Sequence, residues 1–305
     1  MTAGLRPELI SLLRCPADGG EFTLAATASN AHGHAQTGSL QCRCGQSFPI
    51  VDGIAVLLPK AALNSDSEYE QAQRDIAATA DDYDWENSVE SRSEMDATLQ
   101  ALGPCDGKTI LELGSGRGRF TRLMQGMRAL VALDFSLESL RKVAQRIDPA
   151  APVLLVCADV TWFRTQPGAF DRVFSTLTSN LPTRAHRDAM NRLAADALKP
   201  DGAFVLSAHY FGLREWFHRE PKDGYYPGSK IFRQLFSKAD LHAEMQPFFG
   251  QQKHERIQVI LPLLSRVGLA RWQSPRIAEK VPVVNLLAAL LLVTARAPHG
   301  TGSSR

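Results

Sequence analysis

The 305-residue sequence lacks any long apolar run. The longest, Leu286 to Ala295, falls well short of the roughly 20 residues that a bilayer-spanning helix needs, so it reads as a buried strand and no membrane span is expected. The opening, Met1 to Leu13, mixes Gly, Arg, Pro and Glu with short apolar pairs, not a signal-peptide core, and predicts a cytoplasmic protein. Neither sign of charge dominates: 34 Lys and Arg against 32 Asp and Glu leave +2, which removes any global electrostatic case for nucleic acid. Cysteine is scarce and odd in number, five in all, which excludes a disulfide framework in a reducing compartment and leaves metal binding or burial. No G-K-[ST] follows the glycine loop over 114–118, hence that loop is no P-loop. Arg119 stands where the dinucleotide fingerprint G-x-G-x-x-G requires its last glycine.

What is present divides into three zones, 1–60, 61–106 and 107–298. The first is punctuated by Gly and Cys and ends in a hairpin signal turning at Asp52-Gly53. The second carries twelve acidic and two basic residues, with helical stretches over 67–79 and 90–102, and predicts an acidic helical connector. In the third, strands over 109–113, 129–133, 153–157, 170–175 and 203–208 alternate with helices over 119–127, 137–147 and 187–198. That rhythm implies right-handed crossovers and a parallel α/β sheet.

Ligands of such sheets collect outside the carboxyl ends of the strands. Glu112-Leu113-Gly114-Ser115-Gly116-Arg117-Gly118 follows the first strand, where glycines let a ligand approach the backbone. Asp134 closes the second strand and Asp159 the third. Asp134 is placed to accept from ribose hydroxyls, or else is an N-cap for the helix that follows, with Ser136 the other candidate cap. Asp159, with the Val160 N–H, suits an adenine edge or a simple turn, and Glu112 has the alternative of a helix-dipole partner.

Residues 108–210 resemble the class I S-adenosylmethionine-dependent methyltransferases. Ile110 to Gly118 is similar to the first motif of that family, Val131 to Ser136 to the second, Cys157 to Val160 to the third, Phe170 to Thr176 to the fourth, and Leu198 to Phe204 to the turn into the fifth strand. The resemblance implies a Rossmann-like seven-stranded sheet with helices on both faces and S-adenosylmethionine as cofactor. Gly114, Ser115, Gly116 and Gly118 would lie against its methionine portion, with Glu112 near the amino group. Asp134 would take the ribose, Phe135 flank the adenine, and Asp159 and Val160 read its edge, with Ser136 and Thr176 as further cofactor-binding residues. Tyr83 and Trp85 belong either to a lid over the cofactor or to connector packing.

His209 and Tyr210, just past the fifth strand, are the candidate catalytic residues, with a structural histidine as the alternative. A segment over about 211–285 would shape the acceptor pocket. Its cations Arg214, Arg219, Lys222, Lys230 and Arg233 suit an anionic small-molecule acceptor or form a solvated face. Residues 256–261 and 286–295 would supply the last two strands. In front, Cys15-Pro16-Ala17-Asp18 and Cys42-Arg43-Cys44-Gly45 are similar to the small zinc-ribbon-like module of the activator subunit of tRNA and protein methyltransferases. Cys15, Asp18, Cys42 and Cys44 form either a structural zinc site or the remains of one, in a module folded on Leu12, Leu13, Phe22, Leu40, Phe48 and Ile54. His32 and His34 are expected in solvent. RNA is the alternative acceptor, on the strength of this module; a catalytically silent binding subunit is a further reading.

Overall fold

The computed structural model describes residues 3–58, 71, 72, 75, 88–177, 181–226, 231–259 and 278–299. The front begins with a 3₁₀ turn over Pro7–Leu12 and a short β1 (Leu13–Arg14). An antiparallel meander follows: β2 (Phe22–Ser29), β3 (Ala35–Cys42), β4 (Ser47–Val51) and β5 (Ile54–Val56). The two-residue turn between β4 and β5 puts Asp52 at φ 53° and Gly53 at φ 80°, the primed turn that matches strand twist. The hairpin expected at Asp52-Gly53 therefore forms.

The middle is a run of buried strands: β6 (Thr109–Leu113), β7 (Ala129–Asp134), β8 (Val153–Cys157), β10 (Phe170–Thr176) and β11 (Leu198–Tyr210), with a two-residue β9 (Arg164–Thr165) between. Every residue of β6 and β8 is buried, as expected of parallel strands covered on both faces. The helices are α1 (Val89–Leu102), α2 (Leu137–Arg146), α3 (Arg184–Ala197), α4 (Leu213–Phe217) and α5 (Lys238–Met245). Ser88, Ser136, Thr183 and Ser237 cap α1, α2, α3 and α5, each side-chain oxygen accepting a first-turn N–H. The remaining strands are β12 (Asp223–Tyr225), β13 (Phe232–Phe236), β14 (Phe249–Val259) and β15 (Ala288–Pro298).

Seven strands take the order β8-β7-β6-β10-β11-β15-β14, with β15 antiparallel to its neighbours. Among the described residues the sheet exceeds the expected seven strands at both ends and reaches thirteen. At one edge β5 pairs in parallel with β8, so the meander continues the main sheet. At the other, β10 ends opposite Ser207 and β13 then takes up its side of β11 at His209 and Tyr210. Among the described residues the front has no core of its own: Leu13, Leu40, Phe48 and Leu57 belong to the same apolar cluster as Leu111, Val156 and Phe204. Further links are the β1–β9 pair and an ion pair of 2.9 Å from Arg141 to Asp52.

One expected helix is absent. Residues 119–127 form turns and a 3₁₀ segment, Thr121–Leu123, in place of an α-helix. Glycines at both ends, Gly118 at φ 81° and Gly126 at φ 69°, break the run, and Thr121 turns inward to a carboxylate. His34 corrects another expectation: it is buried, and burial lowers its pKa, whereas His32 is exposed.

Candidate cofactor and metal sites

The carboxyl ends of β6, β7 and β8 meet around the glycine loop. Gly114, Gly116 and Gly118 all have positive φ, and a Cβ on Gly118 would press on Val143 at 3.1 Å. The Gly114 and Ser115 N–H groups both donate to the Leu133 carbonyl, which ties the loop to the end of β7. Asp134 completes the tie: Oδ2 accepts from the Gly116 N–H at 2.7 Å and Oδ1 from the Ser136 N–H at 2.9 Å. The Ser115 hydroxyl is buried without a hydrogen-bond partner among the described residues, an unsatisfied group in the wall of this corner.

Glu112 is fully enclosed beneath the loop. Burial pushes its carboxyl up to about 8, against a hydrogen bond of 2.6 Å that Thr121 donates to Oε2. At the end of β8, Asp159 Oδ1 accepts from the Thr161 N–H and hydroxyl, both at 2.7 Å, so Asp159 does serve a turn. Phe135 and Ser136 are met by the connector: Gln71 donates to the Phe135 carbonyl at 3.0 Å, and the Ser136 hydroxyl bonds to Asp75. Thus the connector reaches the ligand end, although Tyr83 and Trp85 lie outside the described residues.

At the end of β11 the two catalytic candidates part company. Tyr210 is buried in the main apolar cluster and its hydroxyl accepts from Arg256 at 3.1 Å. His209 instead bonds through Nε2 to the hydroxyl of Tyr226, with the rings edge to face at 5.8 Å. Tyr226 was missed in the sequence because it lies 16 residues past the strand, inside a variable-looking insertion. Burial, with Arg233 nearby, lowers the His209 pKa to about 4, so the imidazole is neutral at pH 7. Unfolded histidine protonates near 6.5, so the unfolded state gains the proton first and stability falls as pH drops from 6.5 toward 4, by about 1.4 kcal/mol per unit at most. A His209→Gln variant is expected to show a smaller loss of melting temperature between pH 7 and pH 5 than the parent; equal losses would contradict the assignment.

The cations of the insertion are largely neutralised. Arg214 pairs with Glu215 at 2.8 Å, Lys222 with Asp240 at 2.6 Å and Arg233 with Glu220 at 2.9 Å, while Lys230 lies outside the described residues.

In front, Cys15, Asp18, Cys42 and Cys44 converge, with one ligand atom of each lying within 4.8 Å of all the others. Two turns bring them together. The Gly19 N–H donates to the Cys15 carbonyl at 2.8 Å, and the Gly45 N–H to that of Cys42 at 3.0 Å. The Cys15 and Cys44 sulfurs are 3.7 Å apart, about the edge of a tetrahedron with metal–sulfur bonds near 2.3 Å. Three thiols and a carboxylate are a zinc-type donor set, and the residues fit that ion. Burial pushes the Cys42 thiol up to about 12, a penalty that a bound cation offsets.

Comparison with known proteins bears on both centres. A family model described as a methyltransferase domain matches residues 110–202, from β6 into β11 and through the glycine loop. The chain carries a methyltransferase domain. A second model, described as Trm112p-like protein, matches residues 6–53 and encloses all four metal-type ligands. Phosphoethanolamine N-methyltransferase 1 of Arabidopsis thaliana is 38% identical over 87 residues, covering 28% of this chain and 18% of that protein. The chain thus aligns with under a fifth of that relative's length. Among solved structures, a chain from a complex of the Haloferax volcanii Trm112 methyltransferase activator superposes with a TM-score of 0.53 at 18% identity, covering 76% of this chain and 99% of its own. Phosphoethanolamine N-methyltransferase 2 of Haemonchus contortus, bound to phosphomonomethylethanolamine and S-adenosylhomocysteine, gives 0.52 at 19% identity over 79% of this chain and 61% of its own. The sheet around the methyltransferase domain therefore has the class I methyltransferase fold, with a Trm112p-like module joined to its β8 edge. No described helix is long and apolar enough to cross a membrane.

Proposed function

We propose that the protein is an S-adenosylmethionine-dependent methyltransferase acting on an oxygen, nitrogen or carbon nucleophile of a small metabolite or natural product. One observation carries the reading: within the methyltransferase domain, Glu112, the unpartnered Ser115 hydroxyl, Asp134 and Asp159 stand at the adjacent carboxyl ends of β6, β7 and β8. Glu112 would face the cofactor's amino group, Gly114 to Gly118 its methionine chain, Asp134 its ribose. Phe135, Ser136, Asp159 and Val160 would surround the adenine, with Thr176 opposite. When bound, the cofactor supplies a methyl group on a sulfonium, so the protein's tasks are to orient the nucleophile, exclude water and remove a proton.

His209 suits the last task. Its imidazole is neutral at pH 7, and the bond to Tyr226 holds the ring at the end of β11. A base whose own pKa is about 4 is a weak acceptor, so it would act on a nucleophile that loses its proton as the new bond forms. The phosphoethanolamine methyltransferases among the relatives favour a small polar acceptor. An anionic one would have to exchange partners with the ion pairs of Arg214, Lys222 and Arg233.

The Trm112p-like match favours RNA as the second reading. Against it, residues 1–60 hold four basic and four acidic side chains, and RNA recognition calls for a basic, aromatic-bearing face. The module also joins the sheet at β8, separated by β7, β6 and β10 from the His209 corner. The test uses tritiated cofactor with a cell extract and the purified protein. Label is expected in the small-molecule fraction; label confined to RNA would replace the metabolite reading, and no label in either fraction would leave the binding-subunit reading in its place.

A further inference from the structure

Helix α1 turns polar side chains inward: Ser91, Ser93, Glu94 and Thr98 are all buried, and Glu94 is 0% exposed. A carboxylate with no access to water is costly unless it is charge-paired and hydrogen-bonded, and Glu94 is both. Oε2 accepts from Arg119 of the glycine loop at 2.7 Å, and Oε1 accepts from the Ser207 hydroxyl in β11. Arg119 donates again to the Ser91 hydroxyl at 3.1 Å, with its guanidinium 4.7 Å over the Phe120 ring. Ser207 in turn holds the turn after β10: its hydroxyl and its carbonyl both accept from the Leu177 N–H, at 3.2 and 3.1 Å. Leu177 is a non-glycine residue at φ 60°, a strained conformation that needs such a hold.

We infer that Glu94 is a positioning residue that locks the cofactor loop to the acceptor-side turn, so that the two walls of the site move as one body. The inference rests on the proposed cofactor site but goes beyond it, because Glu94 lies outside every motif of that site. Displacing Arg119 moves the segment carrying Thr121, and Thr121 is the hydrogen-bond donor to the buried Glu112. Displacing Ser207 frees Leu177, the residue after Thr176. A single carboxylate thereby reaches both the methionine end of the cofactor corner and the wall beside His209.

The test separates positioning from plain stabilisation by comparing melting temperature with calorimetric affinity for S-adenosylhomocysteine. Glu94→Gln and Arg119→Met each strand a buried partner, and each is expected to lower the melting temperature by several degrees and weaken binding about tenfold. The double variant removes both charges together and is expected to regain most of the melting temperature while its affinity stays about tenfold weak. A double variant that binds as tightly as the parent would make the pair merely structural and overturn the inference. Should the double variant not fold, Ser207→Ala decides, since it leaves the ion pair intact: a several-fold weaker affinity supports the linkage and an unchanged one ends it. A parent protein that binds no S-adenosylhomocysteine would instead fail the cofactor reading itself.

Discussion

Asp134→Ala is expected to weaken calorimetric binding of S-adenosylhomocysteine at least 100-fold. The carboxylate accepts two backbone N–H bonds, from Gly116 in the loop and from Ser136 at the cap of α2. In the proposed complex it turns to the ribose hydroxyls, so removal deletes contacts to the ligand and also releases the loop. Hydrogen bonds to a charged group are each worth about 1.5–3 kcal/mol, and two of them correspond to roughly two to four orders of magnitude in affinity. Asp134→Asn keeps the shape and one acceptor oxygen, and should fall between the parent and the alanine variant. Full affinity in Asp134→Ala would mean that the carboxylate serves only to brace the loop, as a cap does.

The strand rhythm of this chain is easy to read because each buried strand is a short, unbroken apolar run. Thr109–Leu113 and Val153–Cys157 form with the bounds expected of them, Asp134 closes β7 as the pattern requires, and Asp159 stands in the turn two residues past β8. Local signals also suffice for the Asp52-Gly53 turn and for the serine that caps α2. The 119–127 segment fails for a local reason, glycine at each end, which apolar periodicity outweighs on paper. Long-range pairing is another matter: nothing in Ile54–Val56 says that it will lie beside Val153–Cys157, because a three-residue strand fits many edges. Glu94 and Tyr226 were invisible for the same reason. A glutamate on an acidic helix reads as solvated, and only the packing of α1 against the glycine loop and β11 makes it a buried ion-pair partner.

The four metal-type ligands were legible as a set, and their geometry carries the second large prediction. Purified protein is expected to contain about one equivalent of zinc, and its removal by a strong chelator, or Cys42→Ser, should destabilise the chain. Structural zinc sites contribute on the order of 10 kcal/mol to the folding of small modules. Here the loss cannot stay local. Cys15 directly follows β1, which pairs with β9 next to the loop that closes β8, and Leu13, Leu40 and Phe48 share an apolar cluster with the main sheet. Chelation should therefore lower the single melting transition of the whole chain by ten degrees or more, without producing a separate early step. Asp18→Cys completes a four-thiolate set and should hold the ion more tightly against the chelator, since zinc favours sulfur in structural sites. Zinc below about a tenth of an equivalent, together with melting indifferent to chelator, would mean that the module stands on its apolar contacts alone. In that outcome Cys42→Ser would cost no more than an ordinary buried substitution.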